Sequence, residues 1–400
     1  NAGNLAFNML FSRWMGPALF ADLAVLLTLK LAVLNLAGAA QLAASQMVAA
    51  QDGAQREVLV ARLARLSWRA FLPGLLLLPL LIALAALGAG QALGLASPAS
   101  LWILALGFPF ALPLALVRGV AAGRLDTGAM VASAQAEMAV RLIGAVLAWQ
   151  SGLGLNGVMA AILVSIIAGW AVIARPAPRV RPDRAPRAAD GMPGRLAAMA
   201  LPLAVLQLAQ VALLDGDVLL AKAMLPAEPA GLAAALGLLQ RIQVFACIGL
   251  SAVLIPQIAA FAASGRPLLP AVAPVLALVG LASLGLALVA AARPGTLVTL
   301  LAGPEFAAAA PLALPTVIGA AAFTLAYLGA TCLSAMGRNT GLWLMATAIP
   351  LQAAAILLAD PATRGLPALI AAKSGCQVAL CLAVLSALVL ALRRRRDQTS

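Results

Sequence analysis

The sequence predicts an all-α membrane protein of about 12 transmembrane helices, arranged as two six-helix lobes around a central cavity. Of its 400 residues, 64% are apolar and only 10% are charged, whereas a soluble domain carries roughly a quarter charged residues. Long apolar runs recur along the chain, as in 71–87 and 378–392, and a spanning helix needs roughly 20 such residues. Basic residues collect in every second connection between the runs.

Helices are favoured over a barrel because barrel strands alternate apolar and polar residues over about ten positions, and the apolar runs here are continuous. Residue 1 is Asn and the first apolar run is short, so we expect helix 1 to start before this position. No cleavable signal peptide is predicted. The twelve predicted helices span 1–12, 18–49, 68–90, 99–120, 127–149, 155–174, 196–222, 230–260, 269–292, 307–336, 341–359 and 366–392.

Charge in the connections predicts the orientation, because cytoplasmic loops collect Lys and Arg. At or after the even-numbered helices lie 18 of the 26 basic residues, and the other connections hold only Arg13, Arg293 and Arg364. This alternation places both termini in the cytoplasm.

A Pro- and Arg-rich stretch at the midpoint of the chain predicts the domain organisation. The prediction is an N-terminal lobe at 1–174, with a truncated helix 1, a basic cytoplasmic linker at 175–195, a C-terminal lobe at 196–392 and a basic cytoplasmic tail at 393–400.

An internal repeat supports the division into lobes. A shift of 209 residues aligns 17–29 with 226–238, and seven of thirteen positions are identical. Helices 4 and 10 each carry a proline pair, Pro109 with Pro113 and Pro311 with Pro315, which loosens a membrane helix. Duplicated lobes with broken helices are typical of transporters.

Composition also argues against several functions. The chain has no His, which removes the commonest general base and metal ligand, and its four Cys form no CxxC pair. We therefore expect no enzyme activity, no metal and no cofactor apart from a coupling proton or sodium ion. The net charge of +13 is scattered among short loops, so nucleic acid is not an expected partner.

Ionisable residues at membrane depth are the candidate site, because they are costly in lipid and usually face a cavity or a partner. Lys30, Arg141 and Arg241 lie mid-way along predicted helices, and Glu137 precedes Arg141 by one turn. If these side chains share one cavity, it is net positive and attracts a phosphate or diphosphate, which Arg binds bidentately. Glu137 and Arg141 alternatively satisfy each other, whereas Lys30 and Arg241 are expected to be unpaired.

Two further groups are candidates. Asn4 and Asn8 lie on one side of helix 1 and either bind sugar hydroxyls or join helices. Asp217, with Glu137, is a candidate for coupling to a proton or sodium ion, unless it pairs with Lys222 or a cavity Arg. Lys222 and Lys373, near the outer helix ends, are expected to extend to the interface.

Three segments resemble a known family, the bacterial polysaccharide and oligosaccharide flippases. Residues 4–29, NLAFNMLFSRWMGPALFADLAVLLTL, resemble its opening, and 300–315, LLAGPEFAAAAPLALP, resemble the junction of its ninth and tenth helices. Residues 215–245 with Pro256 are similar to its seventh and eighth helices. The positions that fit there are Asp217, Lys222, Glu228, Gly231 and Arg241, while Ala233 replaces a common Tyr.

The resemblance implies the fold of the multidrug/oligosaccharidyl-lipid/polysaccharide exporter superfamily, with helices 1, 2, 7 and 8 lining the cavity between the lobes. It implies a flippase of the bacterial inner membrane that moves undecaprenyl-diphosphate-linked oligosaccharide by alternating access. Membrane lipids and other polysaccharide-assembly proteins are the implied partners. The alternatives are a cation-coupled multidrug exporter of the same fold, a membrane-embedded transferase and a scaffold without transport.

Overall fold

The computed structural model describes residues 2–84, 94–174, 192–244 and 269–399. Every regular element in these ranges is helical. The helices are α1 (Ala2–Ala49), α2 (Gly53–Leu84), α3 (Pro98–Ala105), α4 (Phe108–Gly123), α5 (Thr127–Gln150), α6 (Gly154–Ile173), α7 (Met192–Met224), α8 (described over 227–244), α9 (Leu269–Ala292), α10 (Pro294–Leu301), a 3₁₀ helix (Pro304–Leu312), α11 (Ala313–Ala335), α12 (Thr340–Leu358), α13 (Pro361–Arg364) and α14 (Leu366–Thr399).

The predicted fold class is confirmed. Within the described ranges, nine helices are long and apolar enough to cross a membrane. The chain is therefore a multi-pass membrane protein. Several predicted segments lie outside the described residues, namely 85–90 of helix 3, 175–191 of the linker and 245–260 of helix 8 with Pro256.

Two predicted boundaries differ from the structure. Predicted helices 1 and 2 form the single element α1, which is interrupted at Gly16, where φ is 66° and ψ is 173°. Glycine tolerates this backbone conformation because it has no Cβ. Helix α2 begins at Gly53, whereas the prediction placed its start at residue 68. The first four turns of the helix contain charged side chains, so hydropathy did not reveal them.

Proline accounts for two further interruptions. Predicted helix 4 is split into α3 and α4, and Pro109 lies in the first turn of α4. Predicted helix 10 begins as the 3₁₀ helix with Pro311 inside it, and Pro315 follows in the first turn of α11. Proline is tolerated in a first turn because the N–H it lacks has no helical partner there.

The chain forms two compact units. Unit 1 consists of Asn1–Val25 and Ala209–Ser400, and unit 2 consists of Leu26–Leu208. The division falls within α1 and α7. The predicted lobes at 1–174 and 196–392 divide the chain by topology instead, and they stay a prediction.

Each unit is held by close helix packing. In unit 2, α5 packs along α6 and α2 packs against α4. In unit 1, α14 packs against α11 and α12. A close backbone approach in unit 1 joins α8 to α1: a Cβ atom added to Gly231 would lie 2.0 Å from the carbonyl oxygen of Pro17. Only glycine fits at this contact.

Candidate functional site

Unit 2 contains a buried cluster of charges around Glu137, near the middle of α5. Its members, which we call the Glu137 cluster, are Lys30 of α1, Arg118 of α4, and Glu137 and Arg141 of α5. Lys30 and Arg141 are 4% and 7% exposed. Three helices that are apolar enough to cross a membrane thus bring three cations and one carboxylate together.

Arg118 is the best anchored cation of the cluster. Its Nη2 donates to Glu137 Oε2 at 3.0 Å, and its Nε donates to Ser133 Oγ at 3.0 Å. Ser133 in turn donates to the carbonyl oxygen of Gly169 at 2.7 Å. A Cβ added to Gly169 would lie 3.2 Å from both Arg118 Nη2 and Glu137 Cβ, so the missing side chain on α6 leaves room for this pair.

Lys30 is held more loosely. Its Nζ atom lies 3.7 Å from Glu137 Oε1, which is longer than an N–H···O hydrogen bond. Arg141 is near enough to repel the Lys30 ammonium and to be attracted by Glu137, and its Nη2 lies 3.1 Å from the Met138 sulfur. The formal charges of the four members of the Glu137 cluster sum to +2.

The other carboxylates in the described part of unit 2 are engaged elsewhere. Asp52 pairs with Arg56, Glu57 pairs with Arg124, and Asp126 caps the start of α5 by accepting from Ala129 N. The positive charge of the Glu137 cluster is therefore not cancelled by these groups. A buried excess of charge is costly, and an anion with several oxygen acceptors would offset it.

Three members of the Glu137 cluster were predicted from the sequence, and the fourth, Arg118, was not. Lys30, Glu137 and Arg141 lie together as the mid-depth argument requires. The expectation that Lys30 is unpaired is wrong, because Glu137 lies beside it. Arg118 is one of the 18 basic residues counted at or after the even-numbered helices, because it lies near the end of predicted helix 4. Its signal is the five apolar and small residues that separate it from Arg124 within the same run.

Unit 1 contains buried charges in a different arrangement, as one-to-one pairs. Arg241 of α8 binds Asp215 of α7: both Nε and Nη2 lie 2.8 Å from Asp215 Oδ1. The prediction that Arg241 is unpaired is therefore wrong. Asp215 is 2% exposed, and a charge so deeply buried requires a partner.

Two lysines that were expected to extend to the interface are also buried in pairs. Lys222 Nζ lies 2.6 Å from Asp22 Oδ1, and Lys373 Nζ lies 2.6 Å from Asp217 Oδ1. Lys373 is 0% exposed, so that expectation is wrong. Asp22 was missed by the sequence argument, although it is a lone carboxylate within an apolar run.

The remaining predicted residues belong to unit 1. Asn8 is buried and its Nδ2 donates to the backbone carbonyl of Asn4 at 2.7 Å, one turn earlier in α1. The Nδ2 donor of Asn8 thus has its hydrogen-bond partner within α1. A role for either amide in binding sugar hydroxyls, and a role for Glu137 or Asp217 in ion coupling, stay predictions.

Comparison with known proteins identifies the fold. No protein-family model and no curated protein sequence matches the chain. Among solved structures, an inward-facing multidrug resistance MATE family transporter of the MOP superfamily is 15% identical with a TM-score of 0.80, covering 100% of this chain and 96% of its own. Lipid II flippase MurJ, in an inward closed conformation, is 12% identical with a TM-score of 0.70, covering 100% and 88%.

A eukaryotic MATE transporter is 18% identical with a TM-score of 0.65, covering 99% of this chain and 94% of its own. All three neighbours are transport proteins, and the likeness extends over nearly the whole chain. At these identities it establishes the architecture, as the resemblance in the sequence implied. This chain is therefore a multi-pass membrane protein with the helical fold of MOP-superfamily transporters.

Proposed function

We propose that this protein is a flippase that moves undecaprenyl-diphosphate-linked oligosaccharide across the bacterial inner membrane by alternating access, for the synthesis of a surface polysaccharide. The observation that carries the proposal is the Glu137 cluster, in which buried Lys30 and Arg141 and half-buried Arg118 surround one carboxylate. Both termini are cytoplasmic in this proposal, as the distribution of basic loops predicts.

The chemistry of the cluster suits a diphosphate. Arginine presents several N–H donors in a planar fork that matches phosphate oxygens, and Lys adds a compact positive charge. Lys30 lies beyond hydrogen-bonding distance of Glu137, so its ammonium retains donors for an incoming oxygen. Release of the substrate restores the ion pairs with Glu137, and this exchange of partners makes binding reversible.

One of the structural neighbours is a flippase whose name gives its substrate as lipid II. This likeness supports a lipid-linked substrate for the present protein. A long lipid tail remains in the bilayer while the polar head crosses, so membrane lipids are in contact with the substrate throughout. Other polysaccharide-assembly proteins are the expected partners that supply and consume the lipid-linked sugar. In unit 1, Asn4 and Asn8 are proposed to contact the sugar, and Arg241 is kept as a proposed substrate contact.

A second candidate is a cation-coupled multidrug exporter, which the likeness to a multidrug resistance transporter at a TM-score of 0.80 favours. Such a protein needs an acidic or apolar cavity for cationic drugs. In the described part of the helices, buried Asp22, Asp215 and Asp217 and half-buried Glu137 are four carboxylates that each face a cation. Their partners are Lys222, Arg241, Lys373, and Lys30 with Arg118, respectively. No carboxylate among these four is left over for a cationic drug.

Reconstituted protein distinguishes the two functions. Liposomes that contain the protein are loaded with fluorescent undecaprenyl-diphosphate-linked sugar, and a membrane-impermeant quencher reports the fraction in the outer leaflet. Parallel liposomes receive a fluorescent cationic dye. We expect equilibration of the lipid-linked sugar and no accumulation of dye. Dye transport without sugar translocation would reverse the assignment.

A further inference from the structure

The site around Lys373 differs from a simple ion pair. The Lys373 ammonium has three oxygen atoms within 2.7 Å: Asp217 Oδ1 at 2.6 Å, and the carbonyl oxygen of Leu214 and Oε1 of Gln240, each at 2.7 Å. The ammonium donates hydrogen bonds to the Leu214 and Gln240 oxygens, and its contact with Asp217 is an ion pair. We call these four groups the Asp217 site.

Four helices build the surroundings of this site. The Nε2 atoms of Gln352 on α12 and Gln377 on α14 both donate to the carbonyl oxygen of Leu213 on α7, at 3.1 and 2.9 Å. The Oε1 atoms of these two glutamines are buried without a hydrogen-bond partner. Gln240 on α8 and Gln352 are 1% and 3% exposed. The ammonium therefore lies in a closed, oxygen-rich layer inside unit 1.

We propose that Lys373 is a tethered counter-ion that permanently fills a cation site at Asp217, so that the Asp217 carboxylate is neutralised without taking a proton or a metal cation from solution. A carboxylate, a carbonyl and an amide oxygen are the donor types that suit hard cations. Asp217 exchanges an ion with solution only if the fully buried Lys373 leaves first. This assignment replaces the coupling role predicted for Asp217 from the sequence.

The proposal makes two claims. The binding half, that Asp217 and its neighbours form a cation site, is independent of the proposed function. The transport half, that translocation needs no sodium or proton gradient, rests on the proposed function. Lys373→Ala removes three methylenes and the ammonium, which together have the size of n-propylammonium. We expect n-propylammonium chloride to raise the unfolding midpoint of purified Lys373→Ala by about 2–4 °C or more, in a saturable manner. The same concentration should leave the wild-type midpoint unchanged.

Two controls isolate the site. The double variant Lys373→Ala/Asp217→Asn lacks the carboxylate, so its midpoint should not respond to n-propylammonium. Tetramethylammonium chloride carries the same charge without N–H donors and should not stabilise Lys373→Ala. A folded Lys373→Ala protein that responds to neither n-propylammonium nor sodium chloride would overturn the cation site, as would an equal response in the double variant.

Transport by the wild-type protein provides a second test that does not depend on the folding of any variant at the Asp217 site. Translocation of fluorescent lipid-linked sugar should be unchanged, within about twofold, when sodium is replaced by choline and when an uncoupler collapses the proton gradient. A loss of transport in either condition that is also seen in Glu137→Gln would overturn the tethered counter-ion, whereas a loss that this variant abolishes would assign coupling to Glu137 and leave the counter-ion in place. Absence of transport under every condition would instead contradict the proposed function, and the stability measurement would still decide the binding half.

Discussion

The Nζ atom of Lys30 and Oε1 of Glu137 are 3.7 Å apart and buried between helices, with Arg118 bound to the other oxygen of the same carboxylate. The pair lowers the cost of burying Lys30 without using its hydrogen-bonding capacity. By contrast, the four N···O distances of the three unit 1 pairs are 2.6–2.8 Å. The loose contact in unit 2 is therefore the better candidate for a site that exchanges partners.

Removal of the Lys30 charge tests the Glu137 cluster. We expect Lys30→Ala to lower lipid-linked sugar translocation by about 10- to 100-fold, which corresponds to one charge-assisted hydrogen bond of about 1.5–3 kcal/mol. Lys30→Arg should retain a measurable part of the rate. The matched control is Arg65→Gln, which removes an exposed charge from α2 in the same unit. If Lys30→Ala transports at the wild-type rate, Lys30 has no part in the mechanism.

Glu137→Gln changes the same cluster in the opposite direction. The substitution raises the formal charge from +2 to +3 and leaves an amide that still accepts a hydrogen bond from Arg118. Inorganic diphosphate should then inhibit translocation at a several-fold lower concentration, because the attraction for anions increases. The measurement is a diphosphate inhibition curve for the wild-type and variant proteins in liposomes. An unchanged or higher inhibitory concentration contradicts the assignment of this cluster as the anion site.

The pair of Arg241 and Asp215 is expected to be dominated by its structural role. Arg241→Ala leaves a buried carboxylate without its partner and should destabilise the protein by about 3–5 kcal/mol. The neutral double variant Arg241→Met/Asp215→Leu should recover most of that stability, since neither charge remains. Unfolding in detergent and accumulation in the membrane report both effects.

Transport by the double variant then decides whether Arg241 also binds substrate. A rate close to that of the wild type would assign Arg241 to structure alone and remove it from the proposed substrate contacts. A double variant that is stable but inactive would keep Arg241 among the proposed substrate contacts. A neutral double variant of this kind cannot be made for Lys30, because its partner Glu137 also pairs with Arg118.

The close contact between α8 and α1 predicts a difference between two glycines of the same helix. Gly231→Ala would place a Cβ 2.0 Å from the Pro17 carbonyl oxygen and forces the backbones apart, at a cost of about 1–3 kcal/mol. Gly237→Ala meets nothing within 4 Å and should be neutral or stabilise α8 by up to about 1 kcal/mol. Unfolding midpoints of the two variants are compared directly, and equal midpoints would exclude this contact as a determinant of stability.

Hydropathy along the chain was enough to predict the fold class, because an apolar run of some 20 residues is a local property that the bilayer requires of each span. It also singled out Lys30, Glu137 and Arg141, because charged residues inside apolar runs stand out. Even the interruptions at Pro109 and Pro311 follow from the chemistry of one residue.

The pairing of the buried charges depends on how the helices pack. Asp22 and Lys222 are 200 positions apart in the sequence, and Asp217 and Lys373 are 156 apart, so no local pattern joins them. Arg118 likewise reaches Glu137 from a different helix. A buried charge has to find a partner of opposite sign, but the packing of the helices determines the partner, and with it whether a cation remains available for a substrate.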